Sequence, residues 1–227
     1  MEASFDRYES EYEELVQRSI GWSGADHAFF LEAKAYHLLR LVRRHVGDLA
    51  TARVVDVGCG VGAMHRFLGG VGSLHGVDVS AASVERARRE NPGVEYTIAD
   101  VTALPYEDGA FEVAFASGLV HHLPPDRRDA ALAEMRRIVR PGGLVVVFEH
   151  NPLNPLTRLA VARCPFDEDA VLLGPRELRS RLLRVGLRPV EERYILFFPR
   201  RGRALRRAED LLRRLPLGAQ YYVAGSP

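Results

Sequence analysis

The chain has 227 residues, 47% of them apolar, which suffices for one well-buried domain with small additions. Thirty-one basic residues stand against 30 acidic ones, a net charge of +1, which argues against a chain-wide nucleic-acid footprint. Two cysteines far apart in sequence, Cys59 and Cys164, form no CxxC pair and no disulfide framework, which fits a reducing, cytoplasmic compartment. No stretch reaches 18 apolar residues, so no membrane span is expected, and the acidic start MEASFDRYESEYEELV lacks the apolar core of a signal peptide.

Taken in chain order, residues 26 to 46 carry apolar positions at helical spacing (Phe30, Ala33, Tyr36 or His37, Leu41) behind Asp26 as N-cap. RVVDV, from Arg53, is a short strand of buried type, and the glycines after it lead to a helix near 62–69. SLHGVDV is a second strand. Ser80 caps a helix that runs to about Asn91, VEYTIAD is a third strand, and LPYEDGAF is a turn. FEVAFASG is a fourth strand, DRRDAALAEMRRIVR an amphipathic helix stopped by PGG, and LVVVFEH a fifth strand with a nearly unbroken apolar run. GPRELRSRLLRVG is a helix ending at Gly186, followed by the strand LRPVEERYILFF, an arginine-rich helix near 203–214 and the closing strand AQYYVAG. Unbroken apolar strands alternating with helices predict a parallel sheet covered on both faces, and the last two strands are expected to pair antiparallel at its edge.

Charge is uneven along the chain. Residues 1–32 hold eight acidic groups and two arginines, whereas residues 199–214 hold seven arginines and two acidic groups. Either these are two solvated helical faces, or the ends approach each other, or the basic end faces an anionic partner.

In open parallel sheets ligands bind beyond the carboxyl ends of the strands, next to the first strand. Gly58, Gly60 and Gly62 stand there, and Gly58 to Ala63 can be read as G-x-G-x-x-A, a weak match to a dinucleotide fingerprint. Asp78 closes the second strand 18 residues past Gly60, where a carboxylate can meet ribose hydroxyls. Asp56, two residues before Gly58, suits an ammonium group and opposes a pyrophosphate on the same loop. Asp100 ends the third strand, where it could accept from an exocyclic adenine amine. These features point to a nucleoside ligand bearing a cation.

Taken together, DVGCGVG, GVDVS, IADVTALPYEDGAFEVAFASGLVHHL and RPGGLVVVFEHNP resemble the class I S-adenosylmethionine-dependent methyltransferases of small-molecule type, strongly over about residues 50–150. The resemblance implies an α/β fold: a Rossmann-like, doubly wound, mostly parallel seven-stranded sheet with an antiparallel C-terminal strand and helices on both faces. It implies S-adenosyl-L-methionine as cofactor. Asp56, Gly58, Cys59, Gly60 and Gly62 would face its methionine part, Asp78 and Val79 its ribose, Asp100 and Val101 its adenine, and Ser117 and Gly118 its sulfonium. The whole of 1–227 is expected to be one domain, with an N-terminal helical lid over about 1–48, including Tyr8, Tyr12 and Trp22, and an inserted cap helix over about 198–216.

The chemistry expected is methyl transfer to a small-molecule acceptor, most readily at oxygen, of a natural-product, sugar or lipid-like kind. Because positioning alone can supply about 7–11 kcal/mol, a base is optional. His150 is the candidate general base, with Glu149 as its orienter or as a substrate contact. His121 and His122 are expected in packing or cofactor-side roles, and Lys34, the only lysine, as a solvated helix position or a ligand contact. No metal is expected: no acidic pair follows the fifth strand, as a magnesium-dependent catechol-type enzyme would need. SGLVHHLPP stands where amide-methylating enzymes carry N-P-P-[YF], which weakens nucleic-acid and protein-nitrogen acceptors, and a monomer or homodimer is expected. The amphipathic 203–214 helix could rest weakly on an anionic membrane surface. The competing classes are a non-catalytic S-adenosylmethionine binder and a nicotinamide-dependent oxidoreductase.

Overall fold

A computed structural model describes residues 12–21, 24–200 and 202–227. Tyr8 and Trp22 therefore lie outside the described residues. Two helices, α1 (Tyr12–Ile20) and α2 (His27–His45), precede the first strand, β1 (Arg53–Val57). Then come β2 (Ser73–Asp78), α3 (Ala81–Glu90), β3 (Glu95–Ile98), β4 (Phe111–Ser117), α4 (Arg128–Arg137) and β5 (Val139–His150). The last part holds α5 (Pro155–Ala162), α6 (Pro175–Arg184), β6 (Arg188–Ile195), α7 (Arg203–Leu212) and β7 (Gln220–Ser226).

The seven strands form one sheet in the order β3-β2-β1-β4-β5-β7-β6. Neighbours from β3 to β5 are parallel, and only β7 runs against the rest, between β5 and β6. The unbroken apolar runs follow from cover on both faces. On β5, Val145 and Val147 pack toward Leu132 and Met135 of α4 and Leu178 and Leu182 of α6. Leu144, Val146 and Phe148 point the other way, toward Leu38, Leu41 and Val42 of α2.

Local chemistry sets the helix starts. The Asp26 side chain accepts from Phe29 N at 2.7 Å, and Ser80 Oγ accepts from Ser83 N at 3.1 Å. The helix α5 was not expected: Asn154 accepts from Leu156 N and Thr157 N, and Pro155 sits in the first turn. The helix expected near 62–69 is only a 3-10 turn, His65–Phe67. Gly62 (φ 68°) and Gly70 (φ 89°) bracket that stretch in the left-handed region and leave too few residues for two helical turns. PGG does not stop α4, which ends at Arg137; it forms an irregularity inside β5 instead. There Gly143 lies so close to Glu112 that a Cβ would stand 2.5 Å from its carbonyl oxygen.

The buried positions of α2 are Phe29, Leu31, Lys34, Ala35, His37, Leu38, Leu41 and Val42; of the expected stripe His37 and Leu41 are buried, Phe30 and Ala33 are half-buried, and Tyr36 is exposed. Within the expected lid, α2 is a core helix, and α1 edges a cavity described below. The oppositely charged ends do meet: Arg206 of α7 lies 3.5 Å from Glu32 of α2 and stacks over Tyr36. Leu205, Ala208 and Leu212 are half-buried, but Leu211 is 86% exposed, so the apolar stripe of α7 is only partly covered. No helix among the described residues is long and apolar enough to cross a membrane.

Candidate active site

The carboxyl ends of β1 to β4 open onto a cavity of about 680 Å³. The amides of Gly58 and Cys59 donate to Val77 O on β2, so the glycine loop is stitched to the neighbouring strand. Two of its three glycines have local steric reasons: a Cβ on Gly58 would stand 2.6 Å from Leu119, and one on Gly62 would stand 2.6 Å from the Tyr96 hydroxyl. Gly60 (φ 52°) has no neighbour within 4 Å of such a Cβ. The space over Gly60 is open cavity, and that position is left for a ligand.

Asp56, 3% exposed, holds His65 through Oδ2 at 3.0 Å, and His65 Nδ1 lies 2.6 Å from Tyr96 Oη. Its other oxygen, Oδ1, is buried without a hydrogen-bond partner among the described residues. A buried carboxylate with one oxygen unspent costs free energy unless a donor arrives. Asp78 accepts from Gly60 N at 2.8 Å and Ser80 N at 3.0 Å, so it braces the loop and the start of α3 while it lines the cavity. Burial pushes its carboxyl up, against the pull of those amides. Asp100 accepts from Thr102 N and from Arg127 at 2.7 Å, which together hold its carboxyl down at about 2.

Of the expected cofactor residues, Asp56, Gly58, Cys59, Gly60, Asp78, Val79, Asp100, Val101, Ser117 and Gly118 line this cavity. Gly62 does not; it is spent on packing against Tyr96. Lys34, for which a ligand contact was one of two expected roles, also lines it, as do Met64, Ile98, Arg127 and Phe166, which were not assigned to it from the sequence.

A second cavity of about 440 Å³ adjoins the first beyond β4 and β5. Lys34, Ser117, Gly118, His122 and Phe166 belong to the walls of both. Its sides are apolar, with Phe29, Phe30, Phe148, Phe197 and Phe198 among them, and α1 and α5 close its rim. Lys34 is not a solvated position: it is 9% exposed, and Nζ donates to Ser117 Oγ at 2.8 Å. Burial lowers its amine to about 8, and Asp56 and Glu149 resist that shift.

The polar floor of the second cavity comes from the ends of β4 and β5 and from the 3-10 turn Pro165–Asp167. Glu149 is buried and accepts from Val120 N at 2.8 Å and from His121 Nδ1 at 2.5 Å. It therefore orients His121, where it was expected to orient His150. Burial opposes a charge on His121, but Glu149 and Asp167 outweigh it and hold the imidazole at about 9. His150 lies with its ring 5.2 Å from that of His121, and its Nδ1 is 3.5 Å from Gln220 Nε2. Burial, with His121 beside it, depresses His150 to about 4.

Chemically, the first cavity offers an anionic oxygen to a cationic amine, acceptors to vicinal hydroxyls, and bare backbone to a close-lying chain. S-Adenosylmethionine fits this donor set, with Asp56 Oδ1 and the open space over Gly60 as the residue-level test. A pyrophosphate fits poorly beside Asp56.

Residues 55–147 match the family described as Methyltransferase domain. The chain is 35% identical over 127 residues to a malonyl-[acyl-carrier protein] O-methyltransferase of Salmonella typhimurium, covering 52% of this chain and 50% of that protein. It is 34% identical over 121 residues to a probable tRNA methyltransferase 9B of Mus musculus, covering 52% of this chain and 26% of that protein. The chain thus spans half or less of the length of these curated relatives. Its fold matches a crystal structure of a SAM-dependent methyltransferase from Thermotoga maritima with a TM-score of 0.69 and 23% identity, covering 100% of this chain and 99% of that one.

Proposed function

We propose that the chain, whose residues 55–147 match the Methyltransferase domain family, moves a methyl group from S-adenosylmethionine to a small, largely apolar acceptor, most readily at a hydroxyl oxygen. The observation that supports this best is the wall shared by the two cavities. Ser117, Gly118 and Lys34 separate a pocket suited to a cationic nucleoside from a partly open, phenylalanine-lined one. A flexible nucleic acid or protein segment would have to thread that second pocket, whereas a metabolite of modest size fills it. By name the relatives' acceptors range over malonyl-[acyl-carrier protein], demethylmenaquinone, a phytyl hydroquinone and tRNA, so the acceptor class rests on the cavity.

S-Adenosylmethionine, when bound, would supply the methyl group of its sulfonium: the acceptor oxygen would provide the pair of the new C–O bond, and sulfur would keep the pair of the broken S–C bond as a neutral thioether. The chain's own residues bind and align. Asp56 Oδ1 receives the amino group, Asp78 the ribose hydroxyls, and the Asp100–Val101 corner the adenine. Lys34 stands where it can pair with the carboxylate of the methionine end. Phe29, Phe30 and Phe148 exclude water from the acceptor. His150, a neutral imidazole in the acceptor cavity, takes the hydroxyl proton, and Glu149 keeps the adjoining His121 in place.

Calorimetry with S-adenosylhomocysteine and with NADH tests the cofactor reading. Affinity in the micromolar range, about 8 kcal/mol, is expected for the first and none for the second, and the reverse pattern would overturn it. A panel of phenols, enols and hydroxy acids tests the acceptor. Tight binding without transfer to any of them, set against transfer to tRNA, would move the activity to another class.

A further inference from the structure

The floor of the acceptor cavity holds more ligating chemistry than proton transfer to His150 requires. His121 and His122 are consecutive, yet their rings pack 4.2 Å apart on the 3-10 turn Val120–His122. Asp167 approaches from the turn before residue 168, so that Oδ1 stands 3.5 Å from His121 Nε2 and 3.4 Å from His122 Nε2. One ligand atom from each of the three residues lies within 4.8 Å of the others.

We propose that His121, His122 and Asp167 bind a divalent transition-metal ion of the zinc type, with a fourth coordination position open toward the acceptor cavity. The two separations from Asp167 Oδ1, 3.5 and 3.4 Å, suit such an ion: ligand atoms about 2.0–2.1 Å from a tetrahedral zinc stand about 3.4 Å from one another. His121 Nε2 is the second observation. It is buried, 1% of His121 being exposed, and it makes no well-formed hydrogen bond among the described residues; Asp167 Oδ1 faces it at 3.5 Å as an ion-pair contact. The far side of that ring is fixed as metal-bound imidazoles usually are, with Nδ1 held by the carboxylate of Glu149 at 2.5 Å. Two largely buried carboxylates, Glu149 and Asp167, both pair with His121, and a divalent ion in place of the His121 proton would balance their two charges. Two imidazoles and a carboxylate with one position free is the donor set of a metal that binds a substrate or water oxygen, while a closed structural zinc has four protein ligands.

The metal's place beside the methyl acceptor rests on the reading of this cavity given above; the metal's binding does not. An ion here would hold and acidify the acceptor's oxygen as a Lewis acid, and would favour acceptors with a hydroxyl, enol or carboxylate oxygen over purely hydrocarbon ones. The local sequence gave no metal-binding spacing because Asp167 lies far along the chain from the two histidines.

The test uses the whole chain, stripped with a chelator and titrated with Co2+ and Zn2+, reading metal per chain by elemental analysis and cobalt coordination by its visible absorption. One equivalent per chain with a tetrahedral cobalt spectrum is expected. Asp167→Asn and His122→Asn should each weaken cobalt binding at least tenfold, and Glu149→Gln, acting through His121, roughly 10–100-fold. Each variant is checked for an unchanged melting transition and for S-adenosylhomocysteine binding. No stoichiometric metal in a chain that binds S-adenosylhomocysteine overturns the metal site and leaves the methyltransferase reading standing. Equal metal affinity in folded Asp167→Asn also overturns it. Metal binding without S-adenosylhomocysteine binding counts against the cofactor pocket alone.

Discussion

Lys34 Nζ donates to Ser117 Oγ across 2.8 Å, joining a helix that precedes the sheet to the end of its fourth strand. That pair stands on the wall between the two cavities. Burial costs this amine much of its hydration, and its function and its stability are therefore set against each other. Lys34→Met is expected to raise the melting temperature by a few degrees, since it removes a desolvated cation from the core. The same change should weaken S-adenosylhomocysteine about tenfold, which corresponds to about 1.4 kcal/mol. Scanning calorimetry and titration calorimetry on one preparation read both signs. The pH dependence has a definite sense as well. Between about 8 and the ordinary 10.5 the unfolded chain holds the Lys34 proton and the folded chain does not, so stability rises with pH in that window. The rise should be missing from Lys34→Met.

Gly60 and Gly62 make a paired test of what the loop is for. Gly60→Ala places a methyl group in the open cavity at a left-handed position, with strain of about 1–2 kcal/mol. It should weaken S-adenosylhomocysteine by tenfold or more. Gly62→Ala drives its methyl group into Tyr96 Oη and the His65 relay behind Asp56. Its main effect should be on unfolding free energy, read by urea titration. Equal loss of binding in both variants would show that the loop fails as a unit.

Asp78→Ala should lower S-adenosylhomocysteine affinity at least tenfold, because it removes the acceptor for the ribose and also frees the Gly60 amide. Asp78→Asn separates the two roles. It keeps one oxygen for the amide and gives up the charge, so an intermediate loss is expected. Unchanged affinity in Asp78→Ala, measured by calorimetry, would contradict the ribose assignment.

His37 sets part of the acid limit of the fold. It is buried in α2, beneath Tyr222 of β7, with Arg193 and Glu191 from β6, Arg40 from its own helix and Asp210 from α7 around it. Burial first, and then Arg193 and Arg40, depress it to about 3. From pH 6.5 down to about 3 the unfolded chain takes up a proton that the folded chain refuses, so stability falls as the pH falls. Each unit of such a difference is worth about 1.4 kcal/mol. His37→Phe should flatten the decline of urea midpoints between pH 6.5 and 4; an equally steep decline would place the acid sensitivity elsewhere, His27 being the next candidate.

His150→Gln should cut turnover at least tenfold once an acceptor is in hand, with S-adenosylhomocysteine affinity unchanged, since His150 lines only the second cavity. Turnover equal to that of the parent would remove it as the proton acceptor.

The strands and the cofactor-type pocket were legible because their determinants are local. VVDV and LVVVF announce strands covered twice over, and the residues that end β1 to β4 are fixed by where each apolar run stops. The rest depended on partners distant in sequence. Lys34 read more readily as solvated than as a ligand contact because it was left off the expected stripe of Phe30, Ala33, Tyr36 or His37 and Leu41; Leu31, Leu38 and Leu41, at helical spacing from it, place Lys34 on the buried face. Glu149 was read beside its neighbour His150, but a strand sends successive side chains to opposite faces, and its partner proved to be His121. The α5 helix, which was not expected from the sequence, has its signal in Asn154 as N-cap and Pro155 in the first turn.

The β7 strand follows β6 in the chain but lies between β5 and β6 in the sheet. While the protein is being synthesised, β6 thus emerges with no partner to pair with, and the edge of β5 stays bare until residues 220–226 leave the ribosome. Gln220 and Ala219 also wall the acceptor cavity, so that pocket closes only after β6 and α7 have been made. A nascent chain stalled before Gln220 should therefore be sticky and readily cut by protease, and one released after Ser226 should resist.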